Sequence, residues 1–340
     1  MAVSICPLDD MSTEARKYIV GAYATAPSLA SDDKMQEQNF YNDLILEQDS
    51  IRGLEIPFWG NDIHQFGSEF LFELMRPSWE NVLSCVPGSV VACGSNKHFG
   101  LASDDEAGRN EALKMHKRAN SMLHTINDRF GDQSVIAVQI ATAPSTPVSG
   151  VNASHSSLAR SLEELLSWDW QNARLVIEHC DTADIHGSFV KGFMSLEDEI
   201  TVLGDFIDGN NVGITINWAR SAIEGRSVET VVQHLQQVAQ RRMLAGLMFS
   251  GTSAGDITYG AWQDNHMPFA RSFDIEHYEA NSLLTSSSIQ KCLNAIDPTN
   301  LDYMGIKLLG MPIDKCSVSR RVGINRDALF VLSSLLGGGP

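Results

Sequence analysis

Arg174-Leu175-Val176-Ile177-Glu178-His179, followed by Val212-Gly213-Ile214-Thr215-Ile216-Asn217-Trp218, is the stretch that decides the fold. Each run is short, β-branched and apolar, and each ends in polar residues. A strand that is apolar at consecutive positions is buried on both faces, as in a parallel sheet covered by helices. Six more such runs begin at Tyr18, Gly53, Ser89, Ser134, Leu244 and Tyr303. Their mean spacing is about 41 residues, enough for one strand and one helix each. Helical patterns fill the gaps, clearest over Gln36–Gln48, Asp104–Phe130, Ser156–Trp168, Leu196–Ile207 and Val228–Arg242. In the last, Val228, Val231, Val232, Leu235 and Val238 make one apolar stripe. Ser195 and Ser227 stand where N-caps belong, and Gly131 and Gly209 where helices end.

Eight strands alternating with helices predict an α/β chain: a single (β/α)8 TIM barrel with a long loop after strand seven. The barrel spans 18–336 and residues 1–17 form an N-terminal lead-in. The open doubly wound alternative lacks its signature. The turn after the first strand, Ala24-Thr25-Ala26-Pro27-Ser28, holds no GxGxxG, and no GxxxxGK[ST] phosphate loop exists.

Composition narrows the function classes. The chain has 340 residues, 43% of them hydrophobic, so a large core can form. With 25 Lys and Arg against 42 Asp and Glu, the net charge is −17. That balance argues against nucleic acid, because phosphate backbones need clustered cations. No apolar run approaches the ~18 residues of a membrane span, and Met1 to Lys17 lacks the pattern of a signal peptide. The six cysteines, at 6, 85, 93, 180, 292 and 316, form no CxxC pair. They read as reduced thiols in a cytoplasmic protein, Cys180 as a half-buried structural one.

In such a barrel the reactive groups gather where strands end and βα loops begin. Strand two offers Glu55, then Trp59, Asn61 and His64; strand three is followed by Asn96, Lys97 and His98. Strand four offers Gln139. Strand five ends in Glu178, His179 and Asp181, with His186 further on. Strand six ends in Asn217, Trp218 and Arg220, and strand seven in Ser250 and Thr252. Strand eight carries Lys307. Trp59, Trp218 and Trp262 could stack on a sugar face, and Lys97, Arg220 and Lys307 could hold an anionic group. Glu178 and Lys307 stand out, because a charge inside an apolar strand needs a partner or a cavity. Strands five and eight face each other across the barrel, so both side chains could reach a central site. The alternative is an ion pair that only fills the mouth. Residues 251–283 form the loop after strand seven, read as a lid contributing Trp262 and His266 or as a contact in a homo-oligomer.

The strand-five and strand-six motifs resemble those of the xylose isomerase-like superfamily of TIM-barrel sugar isomerases and epimerases. The strand pattern is similar over about 18–335, and the whole chain resembles an uncharacterised bacterial family of such barrels. The resemblance implies a divalent metal held by Glu, Asp, His and Glu from the ends of strands five to eight. Only Glu178 matches that set. Asn217 stands for Asp, Arg220 where a His often follows, Ser250 for His and Lys307 for Glu. No metal or other cofactor is therefore expected at the usual place, because an ammonium repels a cation. A displaced divalent site using Glu178, Asp181, His179 or His266 stays open.

The expected activity is that of a sugar or sugar-acid isomerase or epimerase acting on a small, anionic or neutral carbohydrate. Glu178 would remove a proton beside a carbonyl, and Lys307 would stabilise the enolate oxygen. Glu55, Trp59, Asn61, His98, Gln139, Asn217, Trp218, Arg220, Ser250, Trp262 and His266 would bind the substrate. Two alternatives remain: a Schiff-base aldolase or lyase with Lys307 as nucleophile, and a carbohydrate-binding barrel without catalysis. A nuclease needs a metal cluster and a basic groove, and the sequence offers neither.

Overall fold

The computed structural model describes residues 17–46, 49–184, 187–272 and 274–337. Eight parallel strands close into one barrel in chain order. They are β1 (Tyr18–Val20), β2 (Ile51–Pro57), β3 (Asn81–Ser84), β4 (Val135–Ile140), β5 (Arg174–Glu178), β6 (Val212–Asn217), β7 (Leu244–Phe249) and β8 (Tyr303–Ile306). Helices α1 (Lys34–Leu46), α2 (Ser68–Phe72), α3 (Val86–Ser95), α4 (Glu106–Phe130) and α5 (His155–Leu166) serve the first half. Helices α6 (Leu196–Gly204), α7 (Trp218–Gly225), α8 (Val228–Gln240), α9 (Ser286–Asn294) and α10 (Val318–Leu335) serve the second. None of the described helices is long and apolar enough to cross a membrane.

The expected N-caps form. Ser195 Oγ accepts from Asp198 N at 3.2 Å and Ser227 Oγ from Glu229 N at 3.1 Å. Gly131 caps α4 at φ 116°, whereas α6 ends earlier than expected, at Gly204 with Asp205 as its cap, and Gly209, at φ 85°, lies in the loop beyond. Helix α4 starts later than expected, at Glu106, because Asp105 is its cap and accepts from Gly108 N. Residues 1–16 of the expected 1–17 lead-in, Gln48 and His186 lie outside the described residues.

The third strand lies upstream of the run that the apolar pattern predicts. Ser89–Gly94 is not the third strand but part of α3, and β3 is the four-residue Asn81–Ser84. Two features of the run fit a helix better. Pro87 stands in the first turn, where its missing N–H removes no bond, and Val91 is 57% exposed, which a strand covered on both faces does not allow. Asn81 anchors the true strand: its Oδ1 accepts from Leu54 N and its Nδ2 donates to the Ser134 carbonyl. Consequently Asn96, Lys97 and His98 follow a helix, not a strand.

The barrel closes where β1 meets β8, with Ile19 paired to Gly305. A Cβ at Gly305 would lie 2.1 Å from the Ile19 carbonyl oxygen. Gly305→Ala should therefore destabilise the fold by about 1–3 kcal/mol, the usual range for overpacking. An unchanged urea midpoint would show that the seam can open.

Candidate functional site at the barrel mouth

Alternation along each strand decides which side chains enter the barrel. In β5, Leu175 and Ile177 pack in the layer beneath the helices, while Val176 joins the small interior cluster with Ile19, Val82, Ala137 and Tyr303. Glu178, two positions after Val176, takes the same inward side at the mouth. By the same rule Glu55, Gln139, Thr215, Asn217, Tyr303 and Lys307 turn inward, each beside an outward apolar neighbour. The rule also sends His179 and Trp218 outward.

Three carboxylates and three cations alternate across the mouth. Lys307 Nζ lies 2.5 Å from Glu55 Oε1 and 3.3 Å from Glu178 Oε1. Arg220 lies 3.0 Å from Glu178 Oε2 and, through Nε, 3.1 Å from Asp264 Oδ2. Lys191 Nζ adds a bond of 3.0 Å to the same Asp264 oxygen. Asn217 Nδ2 donates to Glu178 Oε1 at 3.0 Å, and Tyr23 donates to Glu55 Oε1 at 3.1 Å. His266 Nδ1 sits 2.8 Å from Ser250 Oγ and 3.3 Å from Asp264 Oδ1. Deeper in, Gln139 Nε2 donates to Tyr303 Oη, which lies 2.5 Å from Thr215 Oγ1.

The two glutamates differ in basicity. Burial pushes both carboxyls up. At Glu178 Arg220, Lys307 and Asn217 outweigh burial and hold the group at about 2. At Glu55 burial wins over Lys307, and the pKa is raised above the ordinary value. Burial opposes the Lys307 charge, but Glu178 and Glu55 overcome it and hold the ammonium well above its ordinary range. Burial also raises Asp264, yet Lys191, Arg220 and His266 keep it well below the ordinary carboxylate.

The structure thus brings together Glu55, Gln139, Glu178, Asn217, Arg220, Ser250, His266 and Lys307. Trp59 stands at the rim, 41% exposed, its ring edge-on to Tyr23 at 6.1 Å. Four expected binders do not join. Trp218 is buried in the outer layer. Trp262 lies to the side, under the Arg226 guanidinium at 5.7 Å. Asn61 is exposed in the loop after β2. His98 lies against α4, where its carbonyl oxygen would sit 2.0 Å from a Cβ at Gly108. Tyr23, Lys191, Asp264 and Tyr303 were not anticipated. Asp264 had a signal, lying two residues before His266 in the aromatic loop; Lys191 sits in the loop after β5 and had none.

The four positions at which the sequence resemblance implies metal ligands are Glu178, Asn217, Ser250 and Lys307. They do not fit a divalent cation. They offer one carboxylate, and an ammonium lies 3.3 Å from it. The displaced set does not gather either. Asp181 accepts from Val190 N and Lys191 N, and His179 points away from the barrel to Glu199 and Glu224.

Burial gives this fold a pH dependence. It pushes His116 and His266 down to about 4, so both are neutral when folded near pH 7. The unfolded chain takes up those protons first, at about 6.5. Stability from these groups is complete above 6.5 and is lost as pH falls toward 4. The urea midpoint should drop between pH 7 and pH 4.5; an unchanged midpoint would contradict neutral burial.

Comparison with solved structures supports the architecture. A structure of L-ribulose 3-epimerase matches with a TM-score of 0.54 at 12% identity, over 96% of this chain and 94% of that one. A sugar phosphate isomerase/epimerase from Parabacteroides distasonis matches with a TM-score of 0.50 at 11% identity, over 98% and 99%. An AP endonuclease, family 2, from Brucella melitensis matches with a TM-score of 0.51 at 9% identity, over 92% and 97%. At such identities the likeness is one of fold alone, that of a closed eight-stranded α/β barrel. In sequence, the uncharacterized protein STM3670 of Salmonella typhimurium is 35% identical over 315 residues, 93% of this chain and 96% of that one. A family model described as a domain of unknown function (DUF4862) matches residues 19–324, and the chain belongs to that family.

Proposed function

We propose that the chain is a sugar or sugar-acid isomerase or epimerase-like enzyme whose mouth works without a divalent metal. One observation carries this reading: the Lys307 ammonium, fully buried, sits between Glu55 and Glu178 among the groups that would otherwise face a cation. A fixed ammonium can stabilise a developing enolate oxygen as a metal would. Buried polar oxygens nearby, Glu55 Oε2, Ser84 Oγ, Gln139 Oε1 and Asn217 Oδ1, have no protein hydrogen-bond partner. A polyhydroxylated ligand would satisfy such acceptors. The fold shared with sugar epimerases adds an analogy, not a substrate.

The roles differ from the sequence reading in one respect. Glu178 is a poor base, because three donors hold its charge. Glu55 is the better one: its pKa is raised and its Oε2 is free to take a proton. In the proposed step Glu55 removes a proton from the carbon beside the carbonyl. The C–H electron pair forms the enolate double bond, the carbonyl π pair moves onto oxygen, and Lys307 holds that oxygen. The hydroxyl proton on the deprotonated carbon passes to the enolate oxygen, and Glu55 delivers its proton to the former carbonyl carbon, so the carbonyl is re-formed one carbon along as the isomer. The Schiff-base reading is set aside, since it needs a neutral amine and two carboxylates keep Lys307 charged. The unpaired cysteines suit a reducing compartment, the cytoplasm.

Proton NMR in D2O tests this. A panel of ketoses, aldoses and sugar acids should include one whose carbon-bound proton exchanges with solvent, and Glu55→Gln should slow that exchange by about a hundredfold or more. Binding with no exchange across the panel would favour a non-catalytic carbohydrate-binding barrel.

A further inference from the structure

A second polar cluster lies behind the barrel wall, between the end of β5 and helices α6, α7 and α8. We propose that His179, Glu224 and His234 bind one divalent transition ion of the zinc kind, at a site separate from the mouth. His179 Nε2 lies 3.1 Å from Glu224 Oε2, and His234 Nε2 lies 3.6 Å from Glu224 Oε1. One donor atom from each residue falls within 4.8 Å of the others. The two imidazoles meet edge to face, with centroids 5.2 Å apart, so both Nε2 atoms approach one carboxylate.

The far nitrogens are held as in metal-bound imidazoles. His179 Nδ1 lies 2.7 Å from Glu199 Oε2, and Thr142 Oγ1 donates to the other Glu199 oxygen at 2.6 Å. His234 Nδ1 lies 2.9 Å from Ser221 Oγ. Such outer partners fix the ring so that Nε2 faces the ion. Two imidazoles and a carboxylate are a donor set suited to zinc, and three protein ligands leave a fourth position for water. The Glu224 side chain is 16% exposed, which gives an ion a way in.

An ion-free bridge, with a protonated His179 between Glu199 and Glu224, accounts for His179 but not for His234. At 3.6 Å its Nε2 is too far from Glu224 for a hydrogen bond, yet Ser221 keeps it facing that carboxylate. An ion between the three groups explains the spacing. It would replace the proton between His179 Nε2 and Glu224, and it would tie β5 to α7 and α8.

Untagged full-length protein, stripped with chelator and dialysed, is titrated with zinc chloride by calorimetry and with cobalt(II) chloride by visible absorption. One equivalent should bind, with the absorption of tetrahedral cobalt. Ser221→Ala should weaken zinc binding about tenfold. His234→Ala should weaken it further and remove the cobalt bands, while the thermal midpoint of the metal-free protein stays near wild type. Failure of the stripped wild-type protein to bind one equivalent would overturn the site. Equal affinity in folded His234→Ala and Glu224→Gln variants would do the same.

Discussion

Replacing Lys307 with Met is expected to lower the unfolding free energy by about 3–5 kcal/mol, the range for a buried ion pair that loses one partner. Lys307 is wholly buried and neutralises two carboxylates. Without it, Glu178 still has Arg220 and Asn217. Glu55 keeps only the Tyr23 hydroxyl, so it is the stranded charge. The penalty should then depend on pH. A carboxyl with a raised folded pKa binds its proton more tightly folded than unfolded, so the variant loses stability as pH rises through that value and recovers as pH falls. Adding Glu55→Gln should restore most of the loss at neutral pH. Equilibrium denaturation of the three proteins decides the matter. A loss below 1 kcal/mol, or a double variant no more stable than the single one, would show that Lys307 does not hold the mouth together.

The second large effect concerns turnover. Glu55→Gln should reduce solvent exchange by about 10²–10⁴-fold, the usual contribution of a general base. Gln keeps the shape and a carbonyl-type acceptor for Tyr23 but cannot take up a proton. Glu178→Gln should act differently. It removes the anion that positions Lys307 and Arg220, so it should weaken substrate binding and stability as well as lowering the rate. The separation is visible in the pH profile: the acidic limb belongs to Glu55 and should vanish in Glu55→Gln while persisting, shifted, in Glu178→Gln. A Glu55→Gln enzyme at full rate would return the base role to Glu178.

Much of this was legible in the chain. A charge set in an apolar strand was enough to point Glu178 and Lys307 at a central site, because strands five and eight face each other and Ile177, Ile306 and Leu308 beside them pack under the helices. Period-two alternation, carried one residue further, would have turned His179 and Trp218 outward; end-of-strand position alone was too coarse. The third strand failed because a four-residue strand leaves almost no periodic signal, while Val90-Val91 beside it imitates one. Asp264 and Lys191 were hidden for another reason. They come from separate loops, and only the closed fold carries both to Arg220.

The interleaving of charges at the mouth makes its residues strongly epistatic. Lys307 and Arg220 each serve two carboxylates, so replacing either one disturbs two neighbours at once. Pairwise coupling energies there should be large, whereas distant sites add independently. Converting this mouth toward a metal-ligand set one residue at a time would cross unstable intermediates. Exchanges at position 307 are therefore expected to be tolerated only together with changes at 55, 178 or 220.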